Sequence, residues 1–435
     1  MLILFCVFFL KLKMIKLIAV FSRTFNRIHR IVVRKDGDKL NMLTALNETG
    51  ELVNLIFSQE KGASLKKDQP FFCPHCKEKV VLKKGNVKIP HFSHLPFANC
   101  GSTSEPESAF HLQGKIDLFK WLHYKGLTVE VEKYLPKIQQ RPDLLVWKKR
   151  KIYAIEYQCS SIPLEDMIKR SRCYTSVGIE PFWIFGGTFD IKGNYHLMNI
   201  YKLNDFHWAF TQFNRDDQIH LFSYDPNTKN FSLLSHLTPV TVTKVLASQT
   251  TLPLSKLDFP FNFSTNYINI DFHFWLNEKR KWVQKKMIYA KNLKDPFLNA
   301  IYYNNHSPLL LPPQIGIPVN FMGICKSHPI EWQYYLWTDG FIHTKIGEMI
   351  FLSNLERIFH KRIQRKHIKM RQLPLIKHDF IRQMIYHYLK KLTYLGHLFE
   401  IQKGQFQMNK SFSIPNNIED MIKFEKEMEK KLYSE

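Results

Sequence analysis

The sequence predicts a chain of mixed α and β structure in three parts: a small β module, an α/β core and a mostly helical C-terminal region. Three observations predict it. Residues 42–103 are short strand-like pieces gathered around a Cys/His cluster. Residues 104–187 switch between the apolar period of a helix and that of a strand. From about residue 345 onward long helical patterns dominate, ending in the charged stretch near 416–433. Residues 188–435 as a whole read as mixed, then helical, with a Pro-rich loop at Pro308, Pro312 and Pro313.

The 435 residues allow two or three domains, and 45% hydrophobic content is that of a globular chain. Sixty-two Lys and Arg against 38 Asp and Glu leave a net charge of +24, which suits a polyanionic partner. Seven cysteines, odd in number and mostly scattered, exclude a secreted disulfide scaffold and point to a reducing, cytoplasmic setting. Met1 to Leu10 is almost wholly apolar, but Lys11, Lys13 and Lys16 break it up before Leu17 to Phe21. Neither run approaches the roughly 20 apolar residues of a membrane span. The basic start and small-residue cleavage site of a signal peptide are also missing. Arg23 to Lys39 is basic and patternless, whereas from Met42 the chain reads as strand, turn, strand. The expectation is a translated leader over 1–41, a true start at Met42 and no stable membrane association. An N-terminal membrane anchor is the alternative.

Cys73-Pro-His-Cys76 is a CxxC knuckle, followed by His91-Phe-Ser-His94 and Cys100. Two thiols two residues apart, with a later His and Cys, have the spacing of a tetrahedral zinc site. The intervening Val80-Val81-Leu82, Lys-Lys-Gly turn and Val87 to Ile89 predict a small hairpin, as in a zinc ribbon. The expected ligands are Cys73, Cys76, His94 and Cys100, with His91 as the alternate. A redox CxxC usually opens a helix, and these flanks favour strands.

The core opens on a helix. Ser104-Glu-Pro-Glu107 is a capping box with Pro in the first turn. Ala109, Leu112, Ile116 and Phe119 form its buried stripe, and Glu107, His111 and Lys115 share another face at i, i+4, i+8. Glu107 could equally do no more than cap the helix. Three strands follow: Leu127 to Tyr134, Arg141-Pro-Asp143 to Trp147, and Ile152 to Gln158. Strand alternation puts Glu156 and Gln158 on one face and Tyr153, Ile155 and Tyr157 on the other. Pro163 to Val177 is the next helix, with Lys169, Arg170 and Arg172 in reach of a phosphate backbone, and Pro181 to Phe185 is a buried strand.

Asp143 at the start of one strand and Glu156 on its neighbour can converge on one cation. Phosphodiester hydrolysis needs screening of the non-bridging oxygens and an activated water, and Mg²⁺ or Mn²⁺ held by one or two carboxylates supplies both. The order helix, three strands, helix, strand is the core of the PD-(D/E)xK nucleases. Pro142-Asp143 and Glu156-x-Gln158 match their signature with Gln in place of Lys. The predicted fold is therefore an α/β (α+β) restriction-endonuclease-like core between the zinc-ribbon-like module and the helical region. The competing reading is an acid pair bridged to surface lysines.

From Met42 onward the chain resembles the CoiA-like competence protein family of Gram-positive bacteria. The matching residues are Met42-Leu-x-Ala-Leu, the CxxC…HFxH module, Glu107…His111…Lys115, Arg141-Pro-Asp143, Glu156-Tyr-Gln158-Cys-Ser160 and His328-Pro-x-Glu-Trp332-Gln333-Tyr-Tyr-Leu-Trp337. The resemblance implies the three-part fold above and a role in natural transformation, in which incoming single strands recombine after DNA uptake. It adds His111, Lys115, Arg141 and Ser160 as supporting residues around Glu107, Asp143, Glu156 and Gln158. It also implies that Gln158 is usual, so the catalytic amine is absent and cleavage stays open.

In the C-terminal region Lys361, Arg362, Arg365 and Lys366 crowd one segment, and Trp275, Trp282 and Tyr289 lie among lysines on an earlier helical pattern. Basic residues with interleaved aromatics suit single-stranded DNA, and a solvated face over an aromatic core has the same composition. Three functions are then expected: a Mg-dependent deoxyribonuclease acting on single-stranded or branched DNA, a nuclease-shaped DNA-binding scaffold that recruits recombination proteins, or a zinc-ribbon nucleic-acid binder without catalysis.

Overall fold

The computed structural model describes residues 41–60, 65, 69–84, 89–95, 100, 107–195, 198–213, 219–261, 270–289, 295–376 and 379–432. The expected leader, apart from Asn41, and the Ser104 capping box lie outside the described residues. The chain falls into two units, one ending at Leu112 and the other starting at Gln113.

In the first unit β1 (Asn41–Met42), β2 (Thr44–Leu46) and β3 (Leu52–Asn54) precede the short α1 (Leu55–Glu60). Asn47 turns β2 into β3, its carboxamide oxygen accepting from Glu51 N at 2.8 Å, with Gly50 in the left-handed region at φ +80. Then come β4 (Phe71–Phe72), β5 (Lys79–Lys83) and β6 (His91–His94). Among the described residues the sheet order is β1-β6-β5-β4-β2-β3, antiparallel throughout. Alternation along β5 sends Val80 and Leu82 inward onto Met42, Phe71 and Phe92. The hairpin expected between the cysteine pair and Cys100 is present. The arm described opposite Lys79–Lys83 is His91–His94, so both histidines sit on strand backbone; Val87 and Lys88 of the expected arm lie outside the described residues.

The helix α2 (Ala109–Tyr124) opens with Ser108, whose Oγ accepts from His111 N at 3.2 Å. The cap is thus Ser108, and Glu107 lies just before it. In the second unit β7 (Thr128–Val131), β8 (Leu144–Lys148) and β9 (Lys151–Gln158) form an antiparallel meander. α3 (Leu164–Ser176) then crosses over to β10 (Ile179–Gly186), parallel to β9. Glu165 and Asp166 in the first turn of α3 suit the positive end of its dipole.

The sheet continues past residue 187. β11 (Ile191–Tyr195), β12 (Met198–Lys202), the short α4 (Asp205–Ala209), β13 (Gln212–Phe213), β14 (Ile219–Asp225), β15 (Asn230–Pro239) and β16 (Lys244–Pro253) follow. The described order is β11-β12-β16-β15-β14-β10-β9-β8-β7, with β13 beside β14. Residues 151–158 are central strand and become buried on both faces from Tyr153 onward. Tyr157 fills the helix-ward side. Its ring lies where a Cβ on Gly114 would be, 2.1 Å from the ring carbon, so only glycine fits that position of α2.

The remaining elements are α5 (Phe272–Tyr289), α6 (Pro296–Tyr303), α7 (Pro329–Gly340), β17 (Met349–Phe351), α8 (Leu352–Gln364), α9 (Ile381–Tyr394), β18 (Leu398–Gln402), β19 (Gln405–Met408) and α10 (Ile418–Leu432). This region is mostly helical, as its periodicity predicts. It also holds a three-stranded sheet, β17-β19-β18, whose strands are too short to leave a period of their own. α7 is the centre of the core, with Trp332, Tyr334, Tyr335 and Leu336 fully buried. His328 caps α7, its Nδ1 accepting from Ile330 N at 3.2 Å. Gln333 Oε1 accepts from Gly316 N and Ile317 N. The His328 to Trp337 segment therefore holds the core together. The same applies to α5: Trp275 is buried and donates from Nε1 to Gly316 O at 2.7 Å, and Trp282 stacks on His328. Tyr289 alone of those three aromatics is exposed. Among the described residues no helix is long and apolar enough to cross a membrane.

Candidate functional site

The first cluster is built by two turns of β structure. The knuckle Cys73 to Glu78 closes with Cys73 N donating to Glu78 O at 2.8 Å and Lys77 N to Cys73 O at 3.0 Å, with Lys77 left-handed at φ 62. β6 brings up His94 opposite Val80. Donor atoms of Cys73, Cys76, His94 and Cys100 all lie within 4.8 Å of one another. Cys76 Sγ is 3.3 Å from His94 Nε2, while His94 Nδ1 is buried with no hydrogen-bond partner among the described residues. A hydrogen bond from Cys100, then burial, pushes the Cys73 thiol far up, and burial raises Cys76. Sulfurs this close repel once ionised, and a cation relieves both that repulsion and the burial. The donor set, three sulfurs and one imidazole, can hold a metal ion and has the composition of a structural zinc site. His91 is not part of it: an odd offset along β6 separates it from His94, and its Nδ1 is 2.8 Å from Ile89 O.

The second cluster belongs to β7, β8, β9 and the two helices beside them. The register pairs Leu144 with Ile155, which brings Asp143 alongside the Glu156–Tyr157 peptide. Asp143 Oδ2 accepts from Tyr157 N at 2.8 Å, and its Oδ1 is 3.7 Å from Lys115 Nζ. Lys115 is fully buried and donates to Glu132 Oε1 at 2.6 Å. Glu132 belongs to this cluster although simple alternation along β7 gives it no such role. Its backbone leaves the strand into the left-handed region at φ 52, and the side chain is buried.

Glu156 is 1% exposed and both its oxygens are engaged. Oε2 accepts from Arg170 Nη2 at 2.5 Å, and Oε1 accepts a very short hydrogen bond from the Tyr174 hydroxyl. Burial raises its carboxyl to about 7; Asp143 also raises it, and Arg170 opposes. The Tyr174 hydroxyl is raised well above its ordinary value by burial and then by Glu156. For Arg170 burial works downward, but Glu156 and Tyr174 outweigh it and hold the guanidinium firmly charged. Arg170, expected on a phosphate backbone, is therefore turned inward, while Lys169 and Arg172 remain exposed on α3. Arg170 and Tyr174 are four residues apart on one helix face, a spacing visible in the sequence.

Gln158 lies at the end of β9, buried, with Nε2 donating to Ser160 O at 3.0 Å and Ser160 Oγ at 3.2 Å. Ser160 is thus a partner of Gln158, and Arg141 is buried two residues before Asp143. Glu107 is buried and His111 half-buried, the latter one turn ahead of Lys115 on α2. Of the C-terminal cations, Lys361, Arg365 and Lys366 are exposed. Arg362 is not available: Nε and Nη2 each donate at 2.7 Å to Asp339, and the guanidinium lies over the Tyr335 ring.

An antiparallel meander, a helical crossover, a buried Glu156 and a half-buried Asp143 at the junction make up an α/β domain. Residues 107–267 match the family described as Competence protein CoiA, nuclease-like domain. Residues 56–103 match its N-terminal domain and 270–422 its C-terminal domain. Competence protein CoiA of Bacillus subtilis (strain 168) is 28% identical over 361 residues, which covers 82% of this chain and 94% of that protein. No solved structure matches. The chain belongs to the CoiA-like competence protein family.

Proposed function

We propose that the chain is a divalent-metal-dependent deoxyribonuclease of natural transformation, acting in the cytoplasm after DNA uptake and promoting recombination of the incoming DNA. The observation that carries this reading is the pairing of Asp143 with Glu156 across β8 and β9. Two carboxyls share one junction, and Asp143 adds to the upward push on Glu156. Mg²⁺ or Mn²⁺ would be held by Asp143 and Glu156, where it would screen phosphate charge and activate water. Glu107, just before α2, and His111 in its first turn would complete the acid set, in a restriction-endonuclease-like core. Arg141, Lys115 and Gln158 with Ser160 would support the acids. A structural zinc would be held by Cys73, Cys76, His94 and Cys100 in a zinc-ribbon-like module.

The residues themselves do the following. Tyr157 N orients Asp143, and Lys115 keeps a positive charge beside it. Arg170 neutralises Glu156, so a phosphate that binds Arg170 frees that carboxylate. Lys169 and Arg172 stand ready for further phosphates on the same helix.

A specific observation favours a second reading, a DNA-binding scaffold that recruits recombination proteins. The amide of Gln158 is occupied by Ser160, and both oxygens of Glu156 are occupied by α3. Cleavage assays on single-stranded and branched DNA with Mg²⁺ or Mn²⁺ separate the two. The deoxyribonuclease reading expects Asp143→Ala and Glu156→Gln to lose cleavage by about a hundredfold or more, the effect of removing one metal-anchoring carboxylate. Unchanged melting temperatures would exclude unfolding. No cleavage by the wild type leaves the scaffold, and cleavage at the wild-type rate in both variants moves the active site away from Asp143 and Glu156.

A further inference from the structure

The small sheet near the C-terminus has one face in the core and one open. Register settles which residues share the open face. Met349 pairs with Gln407, which pairs with Phe399; Phe351 pairs with Gln405, which pairs with Gln402. The opposite face carries Ile350, Phe406, Leu398 and Met408, all buried. Solvent faces of antiparallel sheets are normally polar and charged. Among the described residues this open face carries no charged one. Phe399 is 52% exposed, Phe351 39% and Met349 37%, with glutamines between them.

We propose that this face is a stacking platform for single-stranded nucleic acid. The outer strands present one phenyl ring each, separated by the middle strand. Aromatic rings on a sheet stack unpaired bases regardless of sequence, and Gln amides between them can bond base edges. Charge complementarity selects nucleic acid over an apolar partner. Lys403 in the β18–β19 turn and Lys345 before β17 are exposed. Lys361 is exposed on α8, which starts at the residue after Phe351, and Arg365 and Lys366 are exposed just beyond its C-terminal end. Of the acids beside these strands, Glu400 accepts from Lys390 at 2.8 Å and Glu348 from Lys345 N at 2.8 Å. Rows of only three residues are also small beside the roughly 800 Å² per partner of a stable protein interface. The inference rests on the reading that the chain handles DNA and is independent of whether it cuts it.

The test is fluorescence anisotropy of the full chain with labelled oligo(dT) and with a duplex of equal length, in EDTA, so that no cleavage enters. Phe351→Ala/Phe399→Ala should weaken oligo(dT) binding by tenfold or more, leave duplex binding within twofold, and keep the wild-type melting temperature. Phe351→Trp/Phe399→Trp should restore it. Tyr303→Ala, an exposed aromatic outside both clusters, should bind oligo(dT) as the wild type does, which separates rings on this face from exposed rings in general. Unchanged oligo(dT) affinity in the double alanine variant overturns the platform. So does an equal loss for duplex, or a concentration-dependent self-association that the alanines abolish while DNA affinity stays constant.

Discussion

The Cys/His cluster and the carboxylate cluster are assembled in opposite ways. In the first, the knuckle fixes Cys73 and Cys76 relative to each other, and one hairpin returns His94, so the donor atoms already point at one another. In the second, each acid is held by a separate neighbour: Asp143 by a backbone N–H and Lys115, Glu156 by Arg170 and Tyr174. The first centre is preorganised, and the second is held in check by internal cations. Folding energy can come from a cation in the first, whereas in the second a phosphate or cation must compete with existing ion pairs.

The largest effect should come from breaking the preorganised centre. Cys73→Ser and His94→Ala are expected to remove about one zinc per chain. They should also leave residues 42–95 open to protease, since ligand binding in such modules amounts to roughly 10 kcal/mol of folding energy. His91→Ala should keep the metal and the protection. Zinc content by elemental analysis, read beside limited proteolysis, decides it. A wild type without zinc, or equal loss in the two histidine variants, breaks the contrast.

This difference also explains what could be read from the sequence. CxxC followed by HFxH and a later Cys is a local signature, and the structure brings together Cys73, Cys76, His94 and Cys100. On β9, alternation placed Glu156 and Gln158 together because central strands keep period 2. What encloses Glu156 was not legible in the same way. Arg170 and Tyr174 come from a helix 14 and 18 residues away, and their inward turn depends on the parallel crossover. Glu132 was hidden by a left-handed residue that no period announces. The strands from Ile191 to Pro253 carried no clear alternation because many are buried on both faces, as β14 is along its whole length. The small sheet after α7 was masked by the helical patterns around it.

A smaller effect tests the restraint on Glu156. Its carboxyl is raised to about 7 from an ordinary 4.5, chiefly by burial. A raised acid contributes stability when protonated. That contribution is complete below about pH 4.5 and is lost as pH rises to about 7. In EDTA the melting temperature of the wild type should therefore fall, relative to Glu156→Gln, between those two pH values and run parallel above them. A parallel course across the whole range would mean that Glu156 titrates as an ordinary carboxyl and that α3 does not restrain it. Arg170→Met should carry the fall on to higher pH, because it removes the cation that opposes burial.

The smallest effect concerns the exposed cations, and it separates residues that composition alone could not. Lys361, Arg365 and Lys366 are free to meet phosphates, but Arg362 is held by Asp339 in a two-pronged ion pair over Tyr335. Each phosphate contact on a single strand releases condensed counterions and contributes about 0.7 to the slope of log affinity against log salt. Replacing Lys361, Arg365 and Lys366 by Ala should flatten that slope by up to roughly 2, alike for every oligonucleotide sequence. Arg362→Ala should leave the slope alone and lower the melting temperature, because it leaves Asp339 without its partner and Tyr335 without its cover. The paired measurement is the log-log salt dependence of oligonucleotide binding and a thermal melt on the same samples. If Arg362→Ala flattens the slope by the same increment as Lys361→Ala, the ion pair opens on DNA and α8 binds with its whole basic face. If the triple variant leaves the slope unchanged, the phosphates are met elsewhere, and Lys169 and Arg172 on α3 are the next residues to replace.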